Sequence, residues 1–227
     1  VLFIMFSLPS PSPLVNINFF RRRLFFSSLG ASFFSFWMNA AHAFVIPFFL
    51  QNILEFSPSK VGILIFPVAL TVMVMAPLGG RFSDRVGVRT PATVGLIVTS
   101  LTIFSFTILR PGASDLNILW RQVILGIGIS LFNPANNSAI IGSLPRERVG
   151  LASSFLALSR NLGMVIGIAF AEMVNAFRLP AASLGQEKAG LSLESIQDVW
   201  KFVVVIGLIA TLISWTRENK PETSENK

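Results

Sequence analysis

Six long apolar stretches restrict the folds that are open to this chain. They run roughly over residues 28–50, 61–79, 91–109, 119–141, 151–177 and 199–215. A helix needs about 20 such residues to cross the hydrocarbon core of a bilayer. Only 13% of the residues are charged, against roughly 25% in soluble domains. The sequence therefore predicts an all-α membrane protein in which six transmembrane helices form one bundle over residues 28–217.

The residues outside this bundle form three short segments. Residues 1–8 are apolar but too short to cross a bilayer, so we interpret them as the tail of a preceding transmembrane helix in a chain with a truncated beginning. Residues 9–27 are predicted to be a cytoplasmic linker. Residues 218–227 are predicted to be a polar cytoplasmic tail.

The distribution of Lys and Arg predicts the orientation of the bundle. If the first span runs outward, eleven of the 18 basic residues lie in inner segments and six, including Arg121, lie in outer ones. Cytoplasmic loops carry such an excess. We therefore expect a multi-pass protein of the bacterial inner (plasma) membrane, with both ends of the bundle cytoplasmic. This bias also accounts for the net charge of +7, so the expected partner is the lipid bilayer and not nucleic acid.

The residue types in the spans argue against enzyme and metal chemistry. The chain has no cysteine and a single histidine, His42, and the spans contain no paired carboxylates. A polytopic membrane enzyme needs clustered acids, histidines or a nucleophile with its base. We expect no catalytic residue, no metal site and no cofactor.

Polar residues recur at helical spacing in the first and fourth spans. Such residues are costly in lipid, so they indicate either a water-filled cavity or hydrogen bonds between helices. Alternating steps of four and three residues place each set on one helix face: Ser28, Ser32, Ser35, Asn39 and His42 in the first span, and Gly126, Ser130, Asn133 and Asn137 in the fourth. The candidate residues for a transport cavity are Asn39, His42, Asn133, Asn136, Asn137, Arg160 and Asn161.

Two of these candidates carry charge or can acquire it. Arg160 lies nine residues into the fifth span, which is roughly 14 Å deep at 1.5 Å per residue. An arginine at this depth is a candidate functional residue, although neighbouring carbonyls could hold it as a structural charge. His42 is either a packed, hydrogen-bonded residue or a proton carrier.

The connection between the second and third spans is short and charged. Asp84 is predicted to lie just before the third helix, where its carboxylate would accept hydrogen bonds from free N–H groups. Arg85 and Arg89 could pair with acids or carbonyls of a neighbouring helix, and Gly80 and Gly87 would permit a tight backbone. Such a cluster could stabilise one conformation and release another. The alternative is a solvated basic loop.

These residues resemble a known family. The pattern Gly80-x-x-x-Asp84-Arg85-x-Gly87-x-Arg89 is similar to the signature loop of the major facilitator superfamily. Residues 132–150, and the run 159–163 followed by Gly167, are similar to the fourteen-helix drug:proton antiporter branch. The resemblance covers nearly the whole chain.

The resemblance implies that the chain is equivalent to the C-terminal half of a transporter, with a missing N-terminal bundle as its partner. The implied function is export of small, mostly hydrophobic compounds in exchange for protons by alternating access. Asp84, Arg85 and Arg89 would act at a cytoplasmic gate, with Gly80 and Gly87 shaping the loop. No centrally placed acid occurs in the six spans, so the proton carriers would lie in the missing half.

Three alternatives remain open. A transporter of the same fold could export or carry one metabolite, siderophore or sugar, because one fold serves many ligands. The chain could also be an inactive half-length remnant, or a subunit that pairs with another chain. A membrane enzyme is the third alternative.

Overall fold

The computed structural model describes residues 23–178 and 192–217. They form six long helices: α1 (Arg23–Phe48), α2 (Pro58–Val86), α3 (Arg89–Thr107), α4 (Asp115–Gly142), α5 (Val149–Arg178) and α6 (Leu193–Trp215). All six are long and apolar enough to cross a membrane. The prediction of an all-α protein with six spanning helices is confirmed. The predicted helix tail at 1–8, most of the linker and the tail at 218–227 lie outside the described residues.

Several helices extend beyond their apolar stretches. Helix α1 includes residues 23–27 of the predicted linker, where Phe25 is fully buried and packs edge-on against Phe155 of α5. Helix α6 begins at Leu193, six residues earlier than predicted. The hydroxyl of Ser192 caps it by accepting a hydrogen bond from the backbone N–H of Ser195, 3.2 Å away. Local caps and packing, which hydropathy does not report, set these boundaries.

The helices pack in two layers. A front layer has the order α5–α1–α4–α2, and a back layer consists of α6 and α3, with α6 against α1 and α3 against α4. The core lies between α1, α3, α4 and α6, and its largest fully buried side chains include Met38, Leu96, Ile103, Phe132 and Trp200.

Glycines bring neighbouring helix backbones together in this bundle. At the seam between α1 and α5, Gly163 and Gly167 lie directly against the carbonyl oxygens of Phe33 and Trp37. Between α3 and α4, a Cβ on Gly95 would lie 2.6 Å from the carbonyl oxygen of Gly128. Small residues permit such close approach where lipid supplies no hydrophobic driving force.

The two outer helices of the front layer are poorly covered. Only 11% of the most apolar window of α2 and 22% of that of α5 is buried, against 44% in α4. The front layer therefore has a well-packed centre, formed by α1 and α4, and two open flanks.

Candidate functional site

The charged connection between α2 and α3 has a different shape from the one predicted. Helix α2 continues through Asp84 and ends at Val86, where Gly87 adopts φ +84° and donates its N–H to the carbonyl of Ser83 at 2.9 Å. Glycine adopts this left-handed conformation at little cost. The residue before α3 is Val88, which makes no side-chain cap. The prediction that Asp84 lies just before α3 is therefore wrong, because α2 continues about two turns beyond the predicted span and places this carboxylate at its end.

Asp84 and Arg85 are exposed in the last turn of α2. Neither makes an ion pair or a side-chain hydrogen bond within residues 23–178 and 192–217. Gly80 lies inside the helix, where an added Cβ would be 3.9 Å from Cβ of Pro134 on α4. The end of α2 thus presents both charges free, while the turn before them packs against α4.

The structure separates Arg89 from this pair of charges. Arg89 begins α3, and its guanidinium carbon lies 4.6 Å from the centre of the Trp215 ring on α6. The five motif residues therefore divide into Gly80, Asp84 and Arg85 on α2, Gly87 at its end, and Arg89 on the α3–α6 side.

The polar stripe of α1 is mostly buried inside the bundle. Ser28, Ser32, Ser35 and His42 are all buried. The His42 ring packs against Phe106 of α3 at 4.8 Å and Trp200 of α6 at 6.1 Å between ring centroids. Asn39 is half-buried and donates from Nδ2 to the carbonyl of Ser35 at 2.8 Å. The structure thus places His42 in the core and Asn39 at the edge of the packed region.

The asparagines of α4 also include one core residue and two residues at the edge of the packed region. Asn136 is buried, and neither atom of its amide has a hydrogen-bond partner in the described part of the chain. Asn133 and Asn137 are half-buried. Gly126 and Ser130 of α4 contact α2. At about 3.6 residues per turn, Asn133 lies on the helix face between these two residues and the buried Asn136.

Arg160 lies on the front side of the α1–α5 seam. Its guanidinium carbon is 4.8 Å from the centre of the Phe36 ring, and its Nε is buried without a partner among the described residues. On a helix of about 3.6 residues per turn, Arg160 and Phe170 project to opposite sides of the line through Gly163 and Gly167. The Phe170 ring contacts Phe202 of α6 at 5.5 Å, so Arg160 faces away from the back layer. Asn161 is exposed further around α5.

Two further arginines are buried that the sequence did not single out. Arg121, which the sequence counts among the outer basic residues, lies in the second turn of α4 and is buried. Its Nε donates to the hydroxyl of Ser105 at 3.0 Å and its Nη1 to the carbonyl of Asn117. Arg217 follows α6 and is buried, which lowers its pKa to about 10. Hydropathy gives no signal for either site.

The described residues contain no group of three or more His, Cys, Asp or Glu side chains that could hold a metal ion. Their seven acidic residues lie in connections or within about two turns of a helix end. The central part of the bundle thus carries polar amides, hydroxyls, one imidazole and one arginine facing the front.

Comparison with known proteins agrees with this architecture. Residues 28–227 match the family model described as Major Facilitator Superfamily. The chain is similar to a bacterial homologue of the human lysosomal transporter Spinster, solved in an inward-facing and unoccupied conformation. The TM-score is 0.65 at 18% identity, over 94% of this chain and 46% of that one. This likeness shows the fold.

Three curated relatives are similar in sequence. The uncharacterized transporter YebQ of Escherichia coli is 34% identical over 98% of this chain and 46% of its own length. The riboflavin transporter RibZ of Clostridioides difficile is 27% identical over 79% and 40%. The lincomycin resistance protein LmrB of Listeria monocytogenes is 26% identical over 94% and 46%. The chain thus spans less than half the length of these relatives, and it belongs to the major facilitator superfamily.

Proposed function

We propose that this chain forms one half of a secondary transporter that exports small, largely hydrophobic compounds by alternating access. The observation that carries the proposal is the front layer. Its outer helices α2 and α5 are poorly covered, and the half-buried polar residues Asn39, Asn133, Asn137 and Arg160 lie along it.

The membrane makes these polar residues informative. A polar side chain at bilayer depth faces protein or a water-filled cavity, because lipid offers it no hydrogen bonds. A second bundle that covered α2 and α5 would enclose the space before α1 and α4. Such a cavity between two bundles is typical of secondary transporters. The proposed partner is the missing N-terminal bundle. We also propose that both ends of the present bundle lie in the cytoplasm. The predicted cavity roles of His42, Asn136 and Asn161 stay predictions.

Asp84 and Arg85 suit a role at the cytoplasmic gate. Both are exposed at the end of a poorly covered front helix. In our proposal they contact the other bundle when the cavity opens outward and separate from it when the cavity opens inward. Gly80 allows α2 to approach α4 beneath them, and Gly87 ends the helix. The part of Arg89 in this gate stays a prediction.

Export in exchange for protons is the proposed coupling. The acids of the described bundle are near helix ends, so we place the proton-carrying carboxylates in the other half. The name of LmrB, a lincomycin resistance protein, supports the export of drug-like compounds.

The test is dye export from bacteria that lack their own drug exporters. The gene is expressed together with any open reading frame that continues upstream of Val1, and ethidium efflux is followed with and without a protonophore. We expect efflux that the protonophore stops and that Asp84→Asn impairs. The matched control Asp115→Asn, at the opposite end of the bundle, should keep efflux. Efflux that continues with the protonophore would contradict proton coupling.

Transport of one metabolite is the second candidate function. It is favoured by the similarity to RibZ, a riboflavin transporter. Vesicles loaded in turn with riboflavin and ethidium separate the two proposals. Release of riboflavin alone would contradict the drug-export proposal.

A further inference from the structure

A groove lies between the start of α3 and the end of α6, in the back layer of the bundle. It encloses about 310 Å³ and is lined by Arg89, Thr90, Thr93, Val94, Ile97 and Trp215. The five α3 residues follow one helix face from Arg89 to Ile97, a rise of roughly 12 Å along the helix axis. The groove therefore has a polar end at Arg89 and an apolar end at Ile97.

The polar end of the groove is positively charged. The guanidinium of Arg89 lies over the Trp215 ring, and within the described part of the chain its N–H groups donate to no acceptor. Among residues 23–178 and 192–217, no carboxylate lines the groove. Arg217, two residues after Trp215, is buried and is not part of the lining; its Nε donates to the Ser214 carbonyl at 3.1 Å. An anion is complementary to this end.

The base of the groove is closed by a contact between the two helices. The hydroxyls of Thr93 and Ser214 are 2.9 Å apart and buried. Val94 and Ile97 stay about 40% exposed beyond this contact. A ligand that fills the groove thus lies along its outer surface with an apolar part against these two side chains.

We propose that this groove binds a phospholipid with an anionic headgroup, such as phosphatidylglycerol. The phosphate accepts hydrogen bonds from Arg89, and one acyl chain lies along Val94 and Ile97. Trp215 is the last residue of α6, and tryptophans are enriched at the ends of spanning helices, where they lie at the membrane interface. The groove belongs to the back layer, while the flanks available to a second bundle are α2 and α5, so bilayer lipid covers it. The proposed orientation puts it in the cytoplasmic leaflet.

The preference between headgroups follows from the charge of the described lining, which is Arg89 without a carboxylate beside it. An ethanolamine headgroup carries a cation, which Arg89 would repel. A glycerol headgroup leaves the phosphate charge uncompensated. We therefore expect phosphatidylglycerol to be retained in preference to phosphatidylethanolamine.

The experiment counts the lipids retained by the purified 227-residue chain. The protein is equilibrated in detergent with equal amounts of phosphatidylglycerol and phosphatidylethanolamine, and bound lipids are identified by native mass spectrometry. Arg89→Gln should weaken phosphatidylglycerol binding about fivefold, the effect of one basic residue at an anionic surface. Arg89→Lys should keep most of the preference. The matched control is Arg81→Gln, an exposed arginine of the same membrane side outside the groove.

A second variant tests the apolar part without changing any charge. Val94→Trp should fill the groove and reduce phosphatidylglycerol binding, while Met73→Trp, on the exposed surface of α2, should not. Glycerophosphoglycerol, the same headgroup without acyl chains, should not compete. Three results would each overturn the proposal. They are an equal loss of phosphatidylglycerol binding in Arg81→Gln and Arg89→Gln, equal retention of both lipids by the wild type, and competition by the free headgroup. None of these results depends on transport.

Discussion

The seam between α1 and α5 gives a quantitative prediction. We expect Gly163→Ala to destabilise the bundle, because the added methyl group would lie directly against the Phe33 carbonyl oxygen and 3.1 Å from the Trp37 backbone nitrogen. Overpacking of this kind costs about 1–3 kcal/mol. Replacing glycine inside a helix returns up to about 1 kcal/mol in helix propensity.

A matched glycine separates these two contributions. Gly62 lies inside α2, where an added Cβ meets nothing within 4 Å, so Gly62→Ala should be neutral or stabilising. The two variants should therefore differ by about 1–3 kcal/mol in the free energy of unfolding. This corresponds to a roughly 5- to 150-fold difference in the unfolding equilibrium constant.

The assay is reversible unfolding in mixed micelles with increasing mole fractions of dodecyl sulfate, followed by tryptophan fluorescence. Trp37 lies at the seam, where its ring packs on Phe170 at 5.8 Å, so its emission reports on separation of α1 from α5. Equal unfolding midpoints for Gly163→Ala and Gly62→Ala would refute the close approach of the two backbones. A loss confined to Gly163→Ala would support it.

Three further predictions concern charged residues. Asp84→Asn should leave membrane insertion unchanged but impair ethidium efflux, measured beside the amount of protein in isolated membranes; normal efflux would remove Asp84 from the proposed gate. Arg160→Ala should change the range of exported dyes, because it removes the cation stacked on Phe36; an unchanged range would return Arg160 to a structural role. The ion pair between Lys60 and Asp115 is 2.8 Å long and partly exposed. It should contribute only about 0.2–1 kcal/mol in a double-mutant cycle of unfolding free energies. A larger coupling would show that the pair is shielded from solvent.

The sequence predicts the number of helices well because hydropathy directly reports the cost of placing residues in lipid. It predicts helix ends poorly. The ends of α2 and α6 depend on Gly87 and on the Ser192 cap, which act over one turn and leave the apolar pattern unchanged. The expected position of Asp84 was wrong for this reason.

The candidate site was predictable only in part. The repeated spacing on α1 and α4 identified helices of the front layer, but it could not distinguish a core position from an edge position. His42 proved to be surrounded by rings of α3 and α6, and Arg121 was buried by its contacts with Ser105 and Asn117. The surroundings of His42 depend on residues that are distant in sequence. Those of Arg121 depend on which face of α4 turns inward.

The length of α2 has a mechanical consequence. Its 29 residues extend for roughly 44 Å, while the hydrocarbon core of a bilayer is about 30 Å thick. The helix is thus longer than this core by about 14 Å and acts as a lever for the charges at its C-terminal end. A tilt of about 10° around its N-terminal end would move Asp84 and Arg85 by on the order of 8 Å, from the rise per residue. Ion pairs are made only within about 4 Å, so any contact formed by Asp84 or Arg85 is either complete or absent at the two ends of such a swing, and a modest rotation is read out as an on–off signal.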